Sequence, residues 1–394
     1  MDAFSSLQKR VVLVGWVTYA AYYLGRVNLA SALPAMERTF RWSPEQTSVL
    51  AGAMLWTYAA GQLFNGWLGD RVAARRVVFL GMLGSTVVNL LMSVSTAHEV
   101  LVILALINGF LQAMGWGPIL RTLSDTLEGS QRRRIAGWFG ASYIVGNTLT
   151  WMLCGLLLAQ GQWQSLFVIP PLIMLLIGFV WYRLSGDSRF HQNQQPARPE
   201  QLRGIRLRDF GVFLFTAIIA GALLNGMLLY APAYIAQTSP LDQAAIGAVV
   251  FPIFGLLGTI WLSSFVLRRN QGHETRGMMI LLGLAAAARG LALLLPPSTV
   301  TSVLLLSVMG ITSYALTNLL LTAVPLLYAH LGTSQVAGVM DAVHSIGGAI
   351  GSTLVGVLLG QGGWSLVFGA WVLLPLIAIG LIAVGSRRVK LPQT

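Results

Sequence analysis

Charge is scarce in this sequence. Only 10% of the 394 residues are charged, while 55% are hydrophobic. Soluble domains have about a quarter of their residues charged. A chain with so little polar surface cannot face water along most of its length, so most of it is expected to face lipid. Acids are the scarcer sign, with 13 Asp and Glu against 25 Lys and Arg and a net charge of +12. Such an excess suits a nucleic-acid binder, but here the basic residues sit in short loops between apolar runs, which excludes one basic face. Cysteine is nearly absent: Cys154 stands alone, so no internal disulfide can form. No metal-ligand spacing, nucleotide loop or nucleophile–base arrangement occurs. No cofactor, metal or enzymatic reaction is therefore expected. The first apolar run, from Val11, lacks a small-residue cleavage site and carries Arg26 deep inside. It reads as a retained helix, not a signal peptide.

Apolar runs are what the sequence has in abundance. A bilayer-spanning helix needs about 20 residues, and such runs fall near 11–33, 47–69, 77–95, 99–120, 135–159 and 164–184. Six more follow near 210–236, 244–267, 276–295, 299–329, 335–360 and 364–385. The one long polar stretch runs from Ser185 to Asp209 and contains HQNQQPARPEQ, which has little to bury. The expected plan is an all-α membrane protein of twelve transmembrane helices. It comprises a six-helix bundle over 1–184, a cytoplasmic linker over 185–209 and a second six-helix bundle over 210–394.

Loop charge sets the orientation. All but four of the 25 Lys and Arg lie at the termini, in the linker or in alternate loops on one side. The exceptions are Arg38 and Arg41 on the other side, and Arg26 and Arg289 inside apolar runs. Both termini and the linker are therefore expected on the cytoplasmic side of a bacterial inner membrane.

The two halves are also related to each other. The fifth run reads AGWFGASYIVGNTLTWMLCGLLLAQGQW from Ala136, and the eleventh reads AGVMDAVHSIGGAIGSTLVGVLLGQGGW from Ala337, a constant offset of 201 without a gap. Parallel repeats about a central axis build midplane sites between the halves of many membrane proteins, so two pseudo-symmetric bundles are expected.

The loop after the second run, GWLGDRVAARR from Gly66 to Arg76, resembles the signature of the major facilitator transporters. In that family the acid and the basic residues clamp neighbouring helix ends and set the inward–outward equilibrium. The resemblance gives Asp70, Arg71 and Arg75 a gating role, although Ala73 stands where glycine is usual. A narrower likeness lies in YAAYYLGRVNLASALP, Tyr19 to Pro34, which resembles the first helix of the organophosphate:phosphate antiporters. GWGPILRT from Gly115 and the glycine-rich eleventh run fit the same family. The likeness implies that Arg26 binds an anion, with Tyr19, Tyr23 and Tyr314 lining the cavity. Several positions depart from the pattern. Leu224 stands for the family's second phosphate-binding arginine and Tyr143 for its histidine, while Val27 and Gln62 replace expected basic residues. One cation remains of a cluster built for a dianion, so a common scaffold with a changed substrate is expected.

The intramembrane polar groups lead to the same residues independently, because ionisable side chains in a bilayer are costly and mark functional sites. Tyr19, Tyr22, Tyr23 and Arg26 are spaced to share one helical face, and a guanidinium among phenols suits bidentate capture of a carboxylate or phosphate. A structural arginine bonded to carbonyls is the plainer alternative. Asp341, His344 and Ser345 share a face of the eleventh run, and His344 is the repeat mate of Tyr143. Asp341 and His344 are thus candidates to carry a proton or to bind a substrate amine, or else a structural pair. Arg289 lies near Pro296 and is expected to snorkel outward. Gln62, Asn65, Asn147, Asn225, Tyr230, Tyr234 and Asn318 are weaker cavity candidates, since interhelical hydrogen bonds use the same residues.

The expected function is secondary transport of a small organic anion or zwitterion, coupled to a proton. Alternatives are organophosphate/phosphate exchange with phosphate as the counter-ion, drug/proton export, or a non-transporting solute sensor. The expected surroundings are membrane lipid and no nucleic acid, and nothing implies more than a monomer.

Overall fold

A computed structural model describes residues 4–185, 207–238, 244–270 and 273–386. Nearly all of the polar linker, including most of its arginines, and the C-terminal basic residues Arg387, Arg388 and Lys390 lie outside the described residues. Every regular element among the described residues is helical.

Nine helices among the described residues are long and apolar enough to cross a membrane. That number understates the rods, for reasons visible in the sequence. The helix Thr333–Ser386 is two helices joined where Gly362 and Gly363 leave helical geometry, with Gly363 at φ 65°. Only glycine enters that region without strain. The first rod is divided into Ser6–Tyr22 and Val27–Phe40 by a tight 3₁₀ turn at Tyr23–Gly25. The rod Pro44–Gly69 carries Glu45, Gln46, Gln62 and Asn65. With these included, the described helices form the twelve rods that the apolar runs predict.

Helix starts follow local chemistry. Ser5, Ser43 and Ser298 each accept the N–H three residues on, while that residue's side chain returns a bond, as in a reciprocal cap. Pro44 occupies the first turn of its helix, where its missing N–H has no intrahelical partner. The outward faces are apolar: Trp56, Val94, Trp261 and Leu294 are each more than 70% exposed. Soluble monomers rarely expose so much large apolar surface. It fits hydrocarbon.

The chain divides into two compact units. The first comprises Met1–Arg132, Ala141–Ala197 and Pro325–Ala342, and the second comprises Arg133–Gly140, Arg198–Val324 and Val343–Thr394. Each unit thus includes a short piece of the other half of the sequence. The 201-residue offset carries 133–140 onto 334–341, so the two borrowed pieces are the repeat-related starts of the fifth and eleventh spans.

Two expectations need correction. The first rod extends beyond its apolar run to Phe40. Arg289 does not snorkel. It is fully buried in the second unit, where it donates to the Ala285 carbonyl at 3.0 Å, to Ser313 Oγ at 2.7 Å and to the Leu223 carbonyl at 3.4 Å. Three inward acceptors outweigh a route to the interface, which lies along an exposed face this side chain does not share.

Candidate functional site

Arg26 owes its position to the break in the first rod. Gly25 has no room for a side chain: an added Cβ would lie 2.7 Å from Gln112 Nε2 and 2.9 Å from Ser85 Oγ. The Gly25 carbonyl accepts from Asn108 Nδ2 at 2.9 Å, in a buried amide layer. Within that layer Ser85 donates to Asn108 Oδ1 at 2.6 Å, Asn28 donates to Asn89 Oδ1 at 2.7 Å, and Gln112 donates to Ser85 Oγ at 2.8 Å. Polar side chains thus satisfy the backbone that the 3₁₀ turn leaves open, as buried polar groups require. Arg26 follows immediately, at the turn's C-terminal end.

Its guanidinium is held by rings and makes no direct ion pair among the described residues. The Cζ atom lies 4.9 Å from the Tyr23 ring centroid and 4.2 Å from that of Tyr58. Nη2 makes a long 3.4 Å bond to the Gln112 carbonyl, and the buried Nε has no acceptor. A fork of donors this sparsely used is ready for an anion. Tyr19 packs against Tyr23 with centroids 5.9 Å apart and against Trp116 at 4.3 Å, which extends the aromatic wall. Tyr22 ends the helix Ser6–Tyr22, with its ring 6.5 Å from that of Tyr19, and donates its hydroxyl to the Val78 carbonyl at 2.8 Å.

Tyr58 is the residue that the sequence reading missed. Its hydroxyl donates to Asp341 Oδ2 at 3.0 Å, within the first unit. One phenol therefore touches the guanidinium with its face and the carboxylate with its hydroxyl. A signal was present, since Tyr58 lies four residues before Gln62 on the same helical face. Gln62 is 1% exposed in that helix, and its carbonyl faces the Gly338 backbone so closely that a Cβ there would lie 2.2 Å away. Tyr143 lies half-buried in the same unit.

Asp341 and His344 take different hydrogen-bond partners. Asp341 belongs to the first unit and takes its hydrogen bond from Tyr58. His344 belongs to the second, where its Nε2 lies 3.3 Å from Thr317 Oγ1. In that unit Asn225 donates to the Gly221 carbonyl at 3.2 Å beside Gly348, and Tyr314 packs on Phe251 with centroids 5.7 Å apart. An apolar recess of about 220 Å³ in the same unit, lined by Val212, Phe215, Ala378 and Leu381, holds no ionisable group.

The basic-loop end has its own arrangement. Asp70 accepts the backbone N–H groups of Ser334 at 3.1 Å and Gln335 at 2.8 Å, and so caps the helix that starts at Thr333. Burial raises its carboxyl above the usual carboxylate range, and the two N–H bonds and Arg121 pull it back. Arg71 turns to its own helix, donating to the Trp67 carbonyl at 3.1 Å and covering the Trp67 ring at 4.3 Å. Arg75 lies over the Tyr182 ring at 4.7 Å. The basic partner at the loop is Arg121, which donates to the Gly69 carbonyl at 2.5 Å. In the second unit Arg133 pairs with Glu274 at 2.9 Å.

The profile of the Major Facilitator Superfamily matches residues 15–352. The glycerol-3-phosphate transporter of Bacillus subtilis is 29% identical over 194 residues, 48% of this chain and 44% of that protein. The phosphoglycerate transporter protein of Salmonella typhimurium is 24% identical over 45% of this chain and 40% of its own. The chain thus spans less than half the length of these curated relatives. The mouse glucose-6-phosphate exchanger SLC37A1 is 24% identical over 80% of this chain and 73% of its own. Among solved structures, the human organic anion transporter MFSD10 (TETRAN) superposes with a TM-score of 0.72 at 18% identity, covering 95% of this chain and 99% of that one. That likeness concerns the fold.

Proposed function

Because this chain belongs to the Major Facilitator Superfamily, we propose that it carries a small organic anion or zwitterion across a bacterial inner membrane by alternating access. Arg26 anchors the negative group, with Tyr19 and Tyr23 as its walls. Asp341 handles a proton or a substrate amine, and His344, Gln62, Tyr143, Asn225 and Tyr314 line the route. Asp70 is the gating residue, through its cap on the helix at Thr333. The basic loops favour cytoplasmic termini. The one observation that carries this reading is the guanidinium of Arg26, which has aromatic faces around it and an unspent Nε. Two six-helix bundles, 1–184 and 210–394, joined by the 185–209 linker, are the moving parts of this reading, and the 201-residue repeat supports it.

Exchange of a phosphorylated metabolite is the second reading, and the names of the bacterial relatives favour it. The test is solute uptake into liposomes containing only this protein, over a panel of carboxylates, amino acids and phosphate esters. Uptake that is lost in Arg26→Ala supports the anchor. Full uptake in that variant refutes it. A thermal-shift screen on the same panel identifies the ligand class, since a ligand at about a hundredfold excess over its Kd stabilises the folded state by about 2.7 kcal/mol.

A further inference from the structure

Arg26 and Asp341 are the only charged groups around Tyr58 among the described residues of the first unit, and they carry opposite charge. The titratable groups facing Asp341 are Arg26, Tyr19 and Tyr23 from the first rod and Tyr58 from the second, with His344 one turn along its own helix. Among the described residues of the first unit, no lysine, histidine or second arginine joins them. Tyr58 ties the two charges together, with the guanidinium 4.2 Å from its ring centroid and the carboxylate 3.0 Å from its hydroxyl. A cation on the ring face draws electron density from the phenol and makes its O–H a stronger donor to the carboxylate.

We propose that Arg26, Tyr58 and Asp341 form one charge-balanced unit, so that the site takes a monoanion together with one proton and rejects dianions. This rests on the reading of Arg26 as the anion anchor. An anion on Arg26 cancels its positive charge and leaves Asp341 uncompensated in a medium of low dielectric constant, where like and lone charges are costly. The balance is restored when the carboxylate accepts a proton. A monoanion and one proton leave the unit with the same net charge as before. A dianion adds a further negative charge that no residue in the unit offsets. Tyr58 is the positioning residue: its hydroxyl holds the carboxylate where it senses the guanidinium.

The test is calorimetric titration of the purified full-length protein at about pH 8, with lactate as the monoanion probe and inorganic phosphate as a probe that is mostly dianionic there. Removing the negative charge with Asp341→Asn is expected to tighten phosphate binding at least about tenfold, because one uncompensated charge is gone. Tyr58→Phe keeps the ring beneath Arg26 and loses only the hydroxyl. It is expected to narrow the preference for lactate over phosphate, which a purely structural role would leave unmoved. Proton uptake per lactate bound, read with a pH indicator in weak buffer, is expected to approach one in the parent protein and to vanish in Asp341→Asn. Unchanged phosphate affinity in Asp341→Asn overturns the inference. Unchanged anion affinity in Arg26→Gln overturns the anchor reading instead, so the two failures are told apart.

Discussion

Asp70 accepts the Gln335 backbone N–H at 2.8 Å, although 265 residues separate them in sequence. The carboxylate supplies the helix starting at Thr333 with an N-terminal cap that its own sequence does not provide. Replacing a capping side chain by alanine costs about 1 kcal/mol, a roughly fivefold change in any equilibrium that makes and breaks the contact. Asp70→Ala is therefore expected to slow solute exchange in liposomes while equilibrium binding to the detergent-purified protein stays within about twofold. A parallel loss of binding would move Asp70 from gate to site.

Glu274 offers the matching test in the second unit. It pairs with Arg133, whose repeat mate is Ser334, one of the two residues that Asp70 caps. Arg133 is part-exposed but Glu274 is buried, so removing the carboxylate charge leaves the guanidinium without its partner. Glu274→Gln is expected to change exchange rate in the same direction as Asp70→Ala and to lower the unfolding midpoint. No effect on exchange would show that the repeat does not extend to gating.

Gly25 sets the break that places Arg26. An alanine there would bring Cβ to 2.7 Å from Gln112 Nε2 and 2.8 Å from Met174 Cε. Overpacking of this kind typically costs about 1–3 kcal/mol. Gly25→Ala should lower the thermal midpoint and weaken anion binding together. Gly155, with nothing within 4 Å of an added Cβ, is the control. Gly155→Ala should leave binding alone and stabilise its helix by about 0.5–1 kcal/mol.

Arg289 tests the difference between a buried cation and a binding cation. Its hydrogen bonds go to Ser313 and to the carbonyls of Ala285 and Leu223, which reads as a structural role. Apolar replacements of similar volume for buried charges are often neutral or stabilising by about 1–4 kcal/mol, whereas truncation leaves a hole. Arg289→Met should keep transport and the thermal midpoint, and Arg289→Ala should lower the midpoint. Loss of transport in a well-folded Arg289→Met protein would place Arg289 in the substrate path.

Sequence alone determined the helices, because each is fixed by its own run of residues. Apolar length sets the spans, and serine caps and glycine or proline breaks set their ends. It also singled out Arg26 and Asp341, since a charge within an apolar run is conspicuous wherever the chain later places it. The loop motif pointed to Asp70 in the same way, though not to its partners. What required the tertiary structure is everything decided by which helices touch. Helical periodicity places Asp341 and His344 on one face, yet packing gives them different partners, Tyr58 and Thr317. Periodicity likewise groups Tyr22 with Arg26, yet packing commits the Tyr22 hydroxyl to the Val78 carbonyl. Arg289 was expected to reach outward because its distance from a proline can be counted along the chain, whereas acceptors on two other helices cannot. Tyr58 shows the limit most clearly: a tyrosine in an apolar run is unremarkable by itself. It becomes a link only when folding brings Arg26 to its ring and Asp341 to its hydroxyl, and a one-dimensional pattern carries no record of contacts between residues so far apart.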